Sequence, residues 1–112
     1  MTVRWTQEEY DRFSKSGDPA RITERQFQAA VMKVASQLGW RFYHTHDSIG
    51  SQAGFPDLVL VRGQRLIFAE LKTEKGKTTK EQDAWMLALE TATVDVFLWR
   101  PSMMGKIVRI LT

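Results

Sequence analysis

Two acids and a lysine, set at the ends of consecutive apolar runs, are the residues of this chain best suited to chemistry. Gly54-Phe55-Pro56-Asp57 opens the run Asp57-Leu58-Val59-Leu60-Val61, and Glu70-Leu71-Lys72 closes the run that starts at Leu66-Ile67-Phe68-Ala69. Each run has the length and β-branched content of a buried strand, and Gly63-Gln64 between them reads as a hairpin turn. A hairpin brings Asp57, at the start of one strand, toward Glu70, at the end of the other. Side chains alternate along a strand, so Glu70 and Lys72 point the same way. Carboxylate oxygens are hard ligands that suit Mg²⁺ or Mn²⁺, which take their remaining ligands from water and phosphate. Such a cation lowers the pKa of water and offsets charge on pentavalent phosphorus, so phosphodiester hydrolysis is the reaction this set fits. Lys72 would orient or deprotonate the attacking water, or neutralise the developing charge.

These motifs extend into a longer pattern. Gly54-x-Pro56-Asp57-Leu58, Glu70-Leu71-Lys72, Thr79-x-x-Gln82 and Val96-Phe97-Leu98-Trp99-Arg100-Pro101-Ser102 occur in that order. Together they resemble a stand-alone VRR-NUC domain of the PD-(D/E)xK nuclease superfamily, over roughly Ile22 to Leu111. Pro-Asp with Glu-x-Lys alone is a weak pattern, and the helix glutamine and closing strand make it specific. The resemblance implies a restriction-endonuclease-like fold with catalytic Asp57, Glu70, Lys72 and Gln82. It also implies metal ligands in Glu24, Asp57, Glu70 and the Leu71 backbone carbonyl. His44-Thr45-His46-Asp47-Ser48 departs from the family pattern, holding Asp and Ser where many relatives have asparagine, and Val61-Arg62-Gly63 matches the family's Val-Arg-Arg string incompletely.

Composition bounds the alternatives. The chain has 112 residues, enough for one core and not two. A hydrophobic fraction of 43%, with four Trp and six Phe, marks a folded protein. There is no cysteine, which removes disulfides, thiolate zinc sites and cysteine nucleophiles. No apolar stretch approaches membrane-spanning length, and the N-terminus, with Glu8, Glu9 and Asp11, lacks a signal-peptide pattern. The expected location is the cytoplasm of a bacterium or of a phage-infected host.

The formal net charge is +3 and the sequence pI about 9.5, and its distribution says more than its size. Lys72, Lys75, Lys77 and Lys80 follow the Glu70 strand within one short loop, where they would draw phosphates toward the acids. A solvated loop explains the same run. The candidate DNA contacts are Lys75, Lys77, Lys80, Arg62 and His44. His44 and His46 also raise a metal reading with Asp47, but a lone His-x-His is nonspecific and a structural or phosphate-contacting role is preferred.

The positioning elements follow from capping and periodicity. Thr6-Gln7-Glu8-Glu9 is a capping box, so a short accessory helix is expected within residues 1–21, with the nuclease-like domain spanning 22–112. Thr23-Glu24-Arg25-Gln26 opens the main helix, whose Phe27, Ala30, Val31, Val34 and Leu38 recur at helical spacing until Gly39. Glu24 borders that stripe, and its place at the positive helix N-terminus is by itself a sufficient explanation. Trp40 to Thr45 reads as a strand. Thr79-Lys80-Glu81-Gln82 caps a helix bearing Trp85, Met86 and Leu89; the reciprocal capping bond by itself accounts for Gln82, which also suits a contact near the end of the Glu70 strand, and the two roles are compatible. Val94 to Trp99 is the last strand, and Met104, Ile107, Val108 and Leu111 suggest a short terminal helix. The expectation is an α/β protein in the order α-β-β-β-α-β, a small mixed sheet flanked by helices.

The functional expectation is a Mg²⁺- or Mn²⁺-dependent DNA endonuclease, cutting branched DNA in the manner of a Holliday-junction resolvase, as a homodimer. The alternatives are a flap or duplex-end nuclease without junction symmetry, and a non-catalytic DNA-binding module.

Overall fold

The computed structural model describes residues 18–46 and 50–112. The expected helix at Thr6 and the residues Asp47 and Ser48 lie outside the described residues. After a 3-10 turn at Pro19–Arg21, the chain forms α1 (Glu24–Gln37), β1 (Arg41–His44), β2 (Leu58–Arg62), β3 (Arg65–Leu71), α2 (Lys80–Thr91) and β4 (Asp95–Trp99). A 3-10 turn at Pro101–Met103 leads into α3 (Met104–Leu111). The expected order is thus the observed one.

Local chemistry sets these boundaries. At the start of α1, Thr23 Oγ1 accepts from Gln26 N at 3.1 Å and Gln26 Oε1 accepts from Thr23 N at 2.9 Å, a complete capping box. At its end Gly39 adopts φ +80°, while Trp40 N donates to the Ala35 carbonyl (2.9 Å) and Gly39 N to that of Ser36 (3.1 Å). Those bonds satisfy carbonyls that the helix terminus would otherwise leave bare. Between β2 and β3 the register pairs Arg62 with Arg65, leaving Gly63-Gln64 as a two-residue turn. Gly63 has φ +59° there, the conformation that a type II′ hairpin demands of its first central residue.

The four strands form one sheet in the order β1-β2-β3-β4. β1 and β2, and β2 and β3, pair antiparallel. β3 and β4 pair parallel, with α2 as the crossover between them. Strand alternation divides the sheet into two unequal faces. Leu58, Leu60, Ile67, Ala69, Leu71 and Trp99 face α1 and α3 and are buried with Phe27, Val31, Val34, Ile107 and Leu111. Each such Leu, Ile or Val contributes about 1.5–3 kcal/mol through burial. α2 covers the opposite face more lightly. It has no fully buried residue, and its half-buried positions Gln82, Trp85, Met86 and Leu89 make the stripe turned to the sheet. Phe55 bridges the layers, edge-on to Phe68 (5.0 Å separates it from Trp85 and 5.8 Å from Phe68). No described helix is long and apolar enough to cross a membrane.

Arg62 departs from expectation. Its Nη1 donates to the carbonyls of Leu38 (3.1 Å) and Leu111 (3.0 Å), and its Nη2 to that of Thr112 (2.9 Å). Arg65 donates to the Ile110 carbonyl at 2.6 Å, and both guanidinium groups lie 4.9 Å from the Trp40 ring. Arg62 therefore ties the ends of α1 and α3 to the hairpin, at the opposite end of β2 from Asp57. Three of its five N–H groups are engaged by carbonyls, which gives it a structural role in place of the expected phosphate contact. Arg62→Ala is expected to lower stability by about 1–3 kcal/mol in denaturant unfolding, with DNA affinity unchanged.

Candidate active site

The acid pair forms where β2 begins and β3 ends, in the middle of the sheet. Two bonds from the end of β1 fix the entry to β2: Thr45 N donates to the Asp57 carbonyl at 2.8 Å, and Thr45 Oγ1 to the Pro56 carbonyl at 2.7 Å. With its backbone fixed, Asp57 turns its carboxylate across the hairpin, and Oδ2 accepts from Leu71 N at 2.8 Å. Glu70, beside Leu71, has Asp57 as a hydrogen-bonding and electrostatic neighbour. Hairpin geometry thus converts a separation of thirteen residues in sequence into direct contact.

Glu70 is 1% exposed, the one buried charged residue among those described. Its Oε1 accepts from Gln82 Nε2 at 3.2 Å, while Oε2 is buried with no hydrogen-bond partner. Burial, then the proton-sharing contact and charge of Asp57, push its carboxyl up to about 9, with Lys72 pulling the other way and Glu24 adding slightly to the rise. A buried carboxyl beside a second acid, with one oxygen that receives no donor from the protein, could take a cation in place of the proton. The donors are all oxygen, which fits Mg²⁺ or Mn²⁺.

Gln82 fills both of its expected roles with different atoms. Its Oε1 accepts from Thr79 N at 2.9 Å, and its backbone N donates to Thr79 Oγ1 at 3.1 Å. The capping bond turns the side-chain amide so that Nε2 is left free to hold Glu70. The register of α2 against the site depends further on Gly54. Its φ is +98°, and a Cβ there would lie 2.5 Å from the Glu81 carbonyl carbon and 2.7 Å from Gln82 N. Backbone atoms cannot yield cheaply, so Gly54→Ala is expected to push α2 and Gln82 off Glu70 and to destabilise the fold by about 2–4 kcal/mol. Thermal unfolding and the cleavage rate should both report the change.

The structure places the other sequence candidates unevenly. Glu24 is exposed on the first turn of α1 and reaches Glu70 only through its charge. Among the described residues, no three histidine or acidic side chains gather tightly enough to hold a metal, so the ready-made pair is Asp57 with Glu70. His44 faces α1, where Gln28 Nε2 lies 2.9 Å from its Nε2 and 3.2 Å from its Nδ1. His46 sits edge-on to it with ring centroids 4.9 Å apart. Lys75, Lys77 and Lys80 are exposed beyond the end of β3, and Lys72 is half-buried with its N–H on the Trp99 carbonyl at 3.0 Å. Sequence reasoning did not anticipate the Gly54 contact with α2 or the Gln28 contact with His44. Both join residues far apart in the chain, and neither has a local signal beyond the glycine itself.

Comparison with known proteins agrees with this geometry. The model of the VRR-NUC domain family matches residues 3–102. A solved structure described as a VRR_NUC domain superposes with a TM-score of 0.68 at 20% identity, covering 78% of this chain and 95% of that one. A second, described as a VRR_NUC domain protein, gives 0.61 at 18% identity over 79% and 89% of the two chains. The fold is also shared with Hjc, a Holliday junction resolvase of Archaeoglobus fulgidus, at a TM-score of 0.52 and 14% identity over 69% of each chain. No curated protein matches the chain. With Pro56-Asp57, Glu70-Leu71-Lys72 and Thr79-x-x-Gln82 assembled on this mixed sheet, the chain belongs to the VRR-NUC family of nuclease domains, within the PD-(D/E)xK superfamily.

Proposed function

We propose that this chain is a metal-dependent DNA endonuclease acting on branched DNA. The observation that carries the reading is Glu70: a buried acid with one bare oxygen, pressed against Asp57 and within the influence of Lys72. A structural acid in so apolar a strand would be stabilised by a full set of partners. Asp57 and Glu70, with the Leu71 carbonyl, would hold Mg²⁺ or Mn²⁺, while Glu24, exposed on the first turn of α1, would add only its charge. A cation held there would supply positive charge and lower the pKa of the hydrolytic water.

The protein's own groups do the rest. The Leu71 N–H holds one oxygen of Asp57, which aims the carboxylate, and Gln82 does the same for Glu70. Lys72 orients the attacking water or neutralises charge on the phosphate. Lys75, Lys77 and Lys80, with His44 at the rim, draw the flanking phosphates along the strand ends. The products are a 5′-phosphate and a 3′-hydroxyl. Removing one cation from this track tests its role: Lys77→Ala is expected to weaken binding, measured in EDTA, and to reduce the slope of log K against log[salt] by about 0.9.

The preference for branches draws on the fold shared with a junction resolvase, and it calls for a two-fold homodimer, whose paired sites would meet paired strands. End-labelled four-way junction and matched linear duplex test it directly. Symmetric nicks in the junction, with the duplex cut far more slowly, are the expected result. Equal cutting of both substrates, or cutting confined to flaps and duplex ends, would replace junction resolution with the simpler nuclease activity. Binding without cutting would leave a DNA-binding module.

A further inference from the structure

The loop that follows Lys72 is held from inside by Arg100. Thr73, Glu74 and Gly76 turn their carbonyls toward one point, and Arg100 Nη1 donates to all three, at 2.7, 3.2 and 2.7 Å. Ser102 N donates to Glu74 Oε2 at 3.0 Å, and Lys72 N to the Trp99 carbonyl at 3.0 Å. Within the loop, Gly76 N donates to the Thr73 carbonyl at 3.2 Å, and a Cβ on Gly76 would stand 2.7 Å from Thr73 Oγ1. The end of β4 and the turn after it thus grip the segment from Lys72 to Gly76 at several points.

An arginine beside a lysine-rich loop in a nuclease would ordinarily be assigned to phosphate. Here the protons of Nη1 are shared among three backbone oxygens, and the side chain is half-buried. We infer that Arg100 is a positioning residue: by gathering the Thr73, Glu74 and Gly76 carbonyls, it fixes Lys72 at the acid pair and holds Lys75 and Lys77 outward as a preformed phosphate track. The inference rests on the nuclease reading for the role of Lys72 and extends it to a residue outside the acid site. Three carbonyls converging on one point repel each other and stay together only around a donor. Without Arg100 the loop opens and Lys72, the first residue beyond β3, loses its fixed origin. The companion bond from Ser102 has its own consequence: it draws the Glu74 carboxylate toward the turn and away from the phosphates that Lys75 and Lys77 attract.

Arg100→Met, which keeps the apolar stem and removes the donors, and Arg100→Lys separate the possibilities in the full chain. Limited trypsin digestion reads the loop without reference to nuclease activity. Cutting after Lys75 and Lys77 should rise at least about tenfold in the Met variant, as local opening becomes easier, with the thermal midpoint of the core nearly unchanged. The cleavage rate at saturating DNA should fall about a hundredfold, the effect of ångström-scale misplacement, with a smaller rise in KM. Arg100→Lys should recover part of both losses, because its ammonium offers three N–H donors from nearly the same place. Wild-type trypsin sensitivity and rate in the Met variant would overturn the inference. So would general destabilisation with uniform digestion, or an unchanged saturating rate with the salt slope reduced by one phosphate, which would make Arg100 a DNA contact. If the unmodified protein cuts no DNA, the nuclease reading fails while the trypsin comparison still decides whether Arg100 holds the loop.

Discussion

Lys72→Ala is expected to lower the cleavage rate at saturating DNA by about a thousandfold, the loss typical of one preorganised group facing developing charge. Fold and most DNA binding should survive. The backbone bond from Lys72 N to the Trp99 carbonyl does not depend on the side chain, and the buried residues of β3 stay as they are. The side chain matters because of what surrounds it. Of the charges acting on Glu70, that of Lys72 alone favours the ionised form; Asp57 and Glu24 both oppose it. Its removal takes charge from the phosphate and also makes Glu70 harder to ionise, so the rate falls for two reasons. Single-turnover cleavage beside equilibrium binding in EDTA separates the rate from the affinity. Near-normal cutting by the variant would exclude Lys72 from the mechanism.

Glu70→Gln should produce the second large effect, in opposite directions for stability and activity. In the unfolded chain the Glu70 carboxyl titrates near its ordinary 4.5, whereas in the folded, metal-free protein it is pushed up to about 9. Below the first value both states hold the proton and the group is neutral in the balance. Between the two, the unfolded chain releases the proton and the folded one retains it, so stability is lost as pH rises through that window, at up to ~1.4 kcal/mol per pH unit. Glutamine has no such dependence. In EDTA at pH 8 the variant is therefore expected to be about 2–4 kcal/mol more stable than the unmodified protein, and nearly equal to it at pH 5. Its cleavage should fall about a thousandfold, because one anionic ligand is gone. Divalent cation should stabilise the unmodified protein and not the variant. Urea unfolding across the pH range reads both effects, and parallel pH curves for the two proteins would contradict the assigned state of Glu70.

The features legible in the sequence are those whose causes are local. Thr23 with Gln26 and Thr79 with Gln82 form the capping boxes that their spacing requires, because the partners lie within one helical turn. The hairpin was readable from two apolar runs about Gly63-Gln64, and the hairpin alone brings Asp57 to the end of β3. Gln82 was readable as a capping residue that also suits a contact near the Glu70 strand end. The structure shows that the cap orients the amide that does the reaching.

The features that were not legible depend on distant partners. Arg62 and Lys77 are both cations near turns, yet one lies among the carbonyls of Leu38, Leu111 and Thr112 and the other is exposed. No periodicity distinguishes them. Gly54 announces a positive φ, but not that the backbone of Glu81 and Gln82 fills the space where its Cβ would be. Arg100 likewise reads as one more cation of the closing motif until the carbonyls of Thr73, Glu74 and Gly76 are seen around it. Helix and strand positions follow from neighbours in sequence, whereas the fine placement of this site follows from contacts across the sheet.

The most direct test of the central claim is cleavage of one end-labelled DNA by the unmodified protein and by Asp57→Ala, each with Mg²⁺, Mn²⁺ or EDTA. The expected outcome is cutting by the unmodified protein with metal, and none in EDTA or from the variant under any condition. Cutting that persists in EDTA, or that Asp57→Ala retains at an undiminished rate, would show that the acid pair is not the catalytic centre.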